Sequence, residues 1–514
     1  MRGTYQQIQL GTSTAELWTD IPFTFHPEDY AVGLPYGLAY RDDQEQIAVL
    51  IEALLASHRS VFVDAPTGIG KSILAISAAA GTYTDDESLP PLILTSNHGL
   101  QQQYTSFGIP SITGRKNWPC LLDTTRTAEN AICTTAGAPA DCTHYRVCPY
   151  FVQKRAGLES AIVVTNYHYA LKAWGFSPST PLLIGDEAHS AEDILRENAT
   201  LKVYLPGAVK KELIDHTSAV RLAEDLLNKM NFRFDADEEP DEENAPLQSP
   251  REKARRKSAT LRRMIASNPD DYVCAVGFDT LQFVPLRGFW PRVPSSLYLS
   301  ATLFDPYVTE PPGPVAYLRL PSPFPVENRR VYMGNRISLT HRSAPYEYEM
   351  MAQEIDHIIA RNSGRGVIHT PSYSLAERLY GLSSYQDEML MHRGGERDAA
   401  VRQFKDGYRR ILISPAVSEG VDFPGGECEW QVIAKLPFPD NRDPVVKEIA
   451  NRTKGLTETQ VARTIVQQAG RGVRSKTDIC PTYILDAGFA KWFYPRNREL
   501  FPRWFTEALS AYIG

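Results

Sequence analysis

The chain lacks what a membrane or secreted protein needs. No apolar run reaches the about 18 residues that cross a bilayer. Met1 to Asp20 is polar, without the basic-then-apolar order of a signal peptide. A cytoplasmic location with no membrane partner is the expectation. Cysteine is scarce, with seven in 514 residues, too few to frame a chain of this length with disulfides. None of the seven forms the CxxC pair that zinc ribbons use. A strong excess of basic charge is missing too: 54 Lys and Arg against 61 Asp and Glu leave a net charge of −7. Any nucleic-acid surface must therefore be a local groove. What is present is ordinary for a globular protein, 43% hydrophobic and 22% charged. The length suits roughly two to four domains, each with its own core.

One stretch organises the rest. Ser60-Val61-Phe62-Val63 reads as a buried strand, and Ile73 to Ala80 as a helix. Between them lies Asp64-Ala65-Pro66-Thr67-Gly68-Ile69-Gly70-Lys71-Ser72, a strand–loop–helix context for a phosphate-binding loop. Gly68 and Gly70 let backbone N–H groups close around phosphate oxygens, and the helix start adds partial positive charge. Lys71 would reach the β- and γ-phosphates and the Ser72 hydroxyl a Mg²⁺ ion. Ala65 stands where the strict pattern has its first glycine. About 20 residues upstream, Arg41 and Gln44 open an amphipathic helix, and the Gln44 amide can read an adenine edge. Pro181 to Gly185 is a second apolar strand, ending in Asp186-Glu187-Ala188-His189. Asp186 suits a carboxylate holding Mg²⁺ through water, and Glu187 one that orients or deprotonates the attacking water.

Other polar groups sit at strand ends. Thr95 and Asn97 follow the Pro91–Thr95 run and would face a ligand such as a nucleic-acid phosphate. Ser300-Ala301-Thr302 ends another strand. Cys120, Cys133, Cys142 and Cys148 cluster with gaps of 12, 8 and 5 residues. Spaced thiolates of this kind can surround a 4Fe–4S cluster; zinc or four structural cysteines are the competing readings. Arg115 and Trp118 lie among basic and aromatic residues that suit stacking and backbone charge on a single strand. From Ser190 to about Arg287 the pattern is helical, broken by an acidic run at Asp235 to Glu243 and a basic one at Arg251 to Arg263. This segment reads as a mainly helical insertion, and the proline-rich Pro321 to Pro325 as a linker. The second half repeats the strand–helix alternation without a second phosphate loop. In it, Gln467 to Arg474 places Arg471 and Arg474 three apart on one helical face, aimed at a phosphate held by the other half.

Taken together, this order of motifs resembles the superfamily 2 helicases of the XPD/DinG type. The matching text is Ala65 to Ser72, Gly114 to Cys120, Asp186 to His189, Ser300 to Thr302, Ser322 to Pro325, Ser418 to Gly425 and Gln467 to Arg474. The resemblance implies an α/β chain of two RecA-like parallel-sheet domains, with an iron–sulfur insertion and an arch-like helical insertion in the first. The expected division is 1–110 and 161–195 for the first domain, 111–160 for the iron–sulfur domain and 196–287 for the arch. Residues 288–318 would close the first domain, and 319–514 form the second. It implies ATP, Mg²⁺ and a 4Fe–4S cluster held by Cys120, Cys133, Cys142 and Cys148. The nucleotide would meet Arg41, Gln44, Pro66, Thr67, Gly68, Gly70, Lys71 and Ser72, with Gly420 and Asp422 from the second half. Catalysis would fall to Lys71, Asp186, Glu187, Gln467, Arg471 and Arg474, the arginines acting as fingers. Thr95, Asn97, Arg115, Trp118 and Thr370 would grip the strand. The implied activity is 5′→3′ translocation on single-stranded DNA by a monomer, opening forked or tailed duplexes or RNA–DNA hybrids. The rival readings are a nucleic-acid scaffold that uses ATP only as a latch, and a redox protein with an attached ATPase.

Overall fold

The computed structural model describes residues 3–511 except 12, 36, 83–88, 132, 134–141, 174–179, 206, 208–209, 235–267, 288–292, 303–312, 341, 418–420, 422 and 440–441. The acidic and basic runs of the insertion fall outside the described residues, as do Gly420 and Asp422.

The first lobe is built on a nine-stranded sheet. Its spatial order is Thr4–Leu10, Ser13–Thr19, Val315–Arg319, Ser60–Asp64, Ser295–Ser300, Leu182–Asp186, Leu92–Thr95, Val163–Asn166 and Ser111–Ile112. The strand that feeds the phosphate loop runs parallel to both neighbours. Val61 and Val63 pack on one face, with Leu50, Leu54 and Leu74 of the covering helices, while Phe62 packs on the other with Tyr298 and Tyr317. Both faces are covered, which is why the strand reads as an unbroken apolar run. The N-terminal strands Thr4–Leu10 and Ser13–Thr19 form an antiparallel hairpin that closes the sheet edge against Val315–Arg319.

The second lobe carries a seven-stranded, all-parallel sheet. Its order is Met389–Met391, Ile411–Ser414, Gly366–His369, Trp430–Ile433, Thr482–Asp486, Val331–Ile337 and Leu509–Ala511. Ile411–Ser414, Gly366–His369, Trp430–Ile433 and Thr482–Asp486, each a short apolar run, lie at its centre, and the other three toward its edges.

Among its described residues the insertion joins a long helix to a small sheet that the sequence did not single out. The helix His216–Phe234 packs on an antiparallel sheet ordered Leu201–Tyr204, Thr280–Pro285, Tyr272–Gly277 and Glu212–Leu213. Strands this short leave little alternation to read. The sheet's other face docks on the second-lobe helix Pro444–Arg452. There Val273, Ala275 and Val284 meet Val445 and Ile449, and Lys211 pairs with Asp443 at 2.6 Å.

Packing is tightest in the second lobe where Gly366 meets Trp430. A Cβ at Gly366 would lie 2.1 Å from the indole ring, which is fully buried. Gly366→Ala is expected to cost about 1–3 kcal/mol by overpacking. The corresponding fall of roughly 2–10 °C in melting midpoint is measurable by circular dichroism.

Candidate functional site

The phosphate loop is shaped by two left-handed glycines, Gly68 at φ +80° and Gly70 at φ +86°, which a Cβ would strain. The helix Lys71–Thr82 starts directly after them, with the Gly70 carbonyl accepting from Ile73 N–H at 2.9 Å. Gln44 holds the loop from below. Its Nε2 donates to the Ile69 carbonyl at 2.8 Å, and its Oε1 accepts from Arg41 N–H at 2.7 Å. The adenine-reading amide of the sequence reading is thus tied to the loop itself, with one N–H and one lone pair to spare.

The acidic strand end lies opposite. Asp186 is buried; its Oδ1 accepts from Glu187 N–H at 2.9 Å and its Oδ2 from the Tyr104 hydroxyl at 2.8 Å. Glu187 has a left-handed backbone, φ 49°, uncommon for a residue with a Cβ. That turn directs its carboxylate to Lys71 Nζ at 3.7 Å and His189 Nδ1 at 3.3 Å. The two carboxyls split in acidity. Burial, with the Glu187 charge beside it, pushes Asp186 up to about 6. For Glu187 burial is outweighed by Lys71, His189 and Arg471, which hold its carboxyl well below the ordinary range.

Across the cleft, the second lobe packs directly on the loop. A Cβ at Gly68 would lie 2.3 Å from the Phe324 ring and 3.7 Å from Arg474 Cα, and one at Gly470 would lie 2.9 Å from Thr67. His189 joins three motifs. Its Nδ1 is 2.8 Å from Ser300 Oγ and its Nε2 is 2.6 Å from Gln467 Nε2. With an amide N–H donating to Nε2, the ring proton sits on Nδ1, toward Ser300 and Glu187. Arg463 Nη1 donates to the His189 carbonyl at 3.0 Å. Arg471 donates to the Val421 carbonyl at 3.0 Å while its charge reaches Glu187. The Arg474 N–H bonds Asp478 at 2.8 Å.

Cys120, Cys133, Cys142 and Cys148 line one pocket, with Arg115, His144 and Phe151. Arg115 stacks over Tyr150 at 4.8 Å and Phe151 at 5.4 Å. Its Nη1 is buried without a hydrogen-bond partner. The other expected grip residues are tied to the protein. Thr95 and Thr370 are buried, and their hydroxyls donate to the carbonyls of Asn97 and Ser372 at 3.2 Å. Asn97 caps the helix His98–Ser106, and Trp118 Nε1 donates to Thr113 at 2.8 Å.

A helicase C-terminal domain model matches residues 355–508. Over 93% of its length the chain is 22% identical to the ATP-dependent DNA helicase YoaA of Escherichia coli, of which it covers 97%. An XPD helicase structure superposes with a TM-score of 0.58 at 15% identity, over 92% of this chain and all of that one. Residues 355–508 thus match a helicase C-terminal domain, and the chain as a whole is similar to helicases of the XPD/DinG type. It is also 22% identical to DinG of Photobacterium profundum over 60% of its length, and spans about half of that relative, 48%. Xpd4 of S. tokodaii gives a TM-score of 0.50 at 15% identity, covering 91% and 99% of the two chains.

The structure draws Lys71, Asp186, Glu187, Gln467 and Arg471 to one cleft. It adds two residues that the sequence did not single out. Phe324 belongs to the proline-rich linker, where an aromatic reads as incidental. Tyr104 looks like any core tyrosine on a helix. The Gly68 contact gives a test. Gly68→Ala is expected to lower ATP hydrolysis about 100-fold, because Cβ strains the loop and pushes Phe324 away, and small misplacements of reacting groups cost that much. Phosphate-release kinetics beside an unchanged circular-dichroism spectrum would show it.

Proposed function

We propose that the chain is an ATP-driven motor on single-stranded DNA. It hydrolyses ATP between its lobes and moves 5′→3′ to open forked or tailed duplex DNA or RNA–DNA hybrids. The observation that carries this is the direct packing of Gly470 and Arg474 on Thr67 and Gly68, which makes the pocket a product of both lobes. The relatives DinG and YoaA, ATP-dependent DNA helicases, point the same way.

In this reading Lys71 neutralises the β- and γ-phosphates, and Ser72 and Asp186 are the groups that would hold Mg²⁺. Glu187, ionised, aligns the attacking water and takes its proton. Gln467 Oε1 is buried without a hydrogen-bond partner, so it offers an acceptor for the same water. Arg471 and Arg474 stabilise charge on the transferring phosphoryl group. Loss of that charge on hydrolysis weakens the second lobe's hold and lets the cleft open. The strand is held through its backbone with sequence largely unread, so the grip of Thr95, Asn97 and Thr370 works through loops that shift on binding.

Four thiols around one cavity fit a 4Fe–4S cluster, and the Arg115 Nη1 beside them, buried without a hydrogen-bond partner, suits an anionic group. Bound there, the cluster would cross-link the loops bearing Cys120, Cys133, Cys142 and Cys148 into a rigid wedge.

Lys71→Ala should abolish, and Arg471→Ala lower by about 10³-fold or more, the phosphate release stimulated by single-stranded DNA. Wild-type release that ignores DNA would favour a latch. Strand displacement on duplexes tailed at either end reads the polarity. Anaerobically purified protein should carry about four iron and four sulfide per chain, lost in Cys148→Ser; stoichiometric zinc would contradict the cluster.

A further inference from the structure

Tyr104 has no part in the functions assigned so far. Its ring belongs to the core of the first lobe, among Val63, Ile93 and Ile184, and the residue is fully buried. Its hydroxyl, however, reaches the nucleotide site. It donates to Asp186 Oδ2 at 2.8 Å. The phenol is therefore tied directly to one of the side chains that would hold Mg²⁺.

We propose that Tyr104 is a positioning residue for the divalent cation, aligning the Asp186 carboxylate through its hydroxyl. The inference rests on the reading of this cleft as an ATP–Mg²⁺ site. The phenol's own proton fixes Asp186 Oδ2, while Glu187 N–H fixes Oδ1. Each carboxylate oxygen is then held by one donor, with its remaining lone pairs free for the cation's water shell. Groups that orient metal-holding side chains in this way typically set affinity 10- to 100-fold.

Nearby Tyr167 supplies the contrast. It is just as buried and packs on Gly185, next to Asp186, but its hydroxyl has no hydrogen-bond partner. Only Tyr104 is wired to the site.

The test is equilibrium binding of a fluorescent, non-hydrolysable ATP analogue, titrated with Mg²⁺ and repeated in EDTA. Tyr104→Phe keeps the ring and removes the hydroxyl. It is expected to raise the half-saturating Mg²⁺ concentration about 10-fold and to leave the EDTA affinity unchanged. Tyr167→Phe is expected to follow the wild type in both. Superimposable Mg²⁺ curves for Tyr104→Phe and wild type would overturn the proposal, as would an equal shift in both variants, which would mean general loosening. Wild-type protein that binds no analogue with Mg²⁺ would instead overturn the nucleotide-site reading on which the inference rests.

Discussion

Lys71 and Glu187 face each other across 3.7 Å in a cleft that neither lobe completes. Each charge compensates the other, so neither stands unpaired in a poorly solvated place. The same pairing poises the site. In the proposed ATP reading, triphosphate oxygens would be the stronger partner for an ammonium at a helix start, and Lys71 turning to them would free Glu187 while His189 and Arg471 keep it ionised. Binding and activation of the base would then be one exchange of partners.

His189 carries that exchange across the cleft. It touches Glu187, Ser300 and Gln467, which belong to three separate motifs and to both lobes. A single imidazole with its proton on Nδ1 couples the state of the carboxylate to the position of the second lobe. The insertion also bridges the two lobes. Its sheet is covalently part of the first lobe, yet it packs on the helix Pro444–Arg452 of the second, with Arg452 donating to the Tyr272 carbonyl at 3.1 Å.

Much of this was legible in the sequence, for definite reasons. Buried parallel strands such as Ser60–Asp64 and Trp430–Ile433 announce themselves as apolar runs, and glycine with lysine and serine after such a run has few other uses. Asp186 and Glu187 were placed by the same logic. What escaped was whatever depends on distant partners. The short antiparallel strands of the insertion gain stability from pairing and from the second lobe, not from their own composition. Gln44 has the chemistry to read a base, but nothing in its neighbourhood shows that its amide reaches Ile69. Thr95, Asn97 and Trp118 have polar groups that the chain itself binds, and only three-dimensional packing reveals that.

The central claim is that nucleotide closes the two lobes on each other. It is tested most directly by pulsed electron paramagnetic resonance between nitroxides at Gln103 and Glu377, exposed helix positions on opposite lobes. Labels attached through unnatural amino acids leave the native cysteines untouched. A non-hydrolysable ATP analogue with Mg²⁺ should give one narrow, short distance population, and ADP a longer and broader one. Identical distributions in the two states would contradict the account.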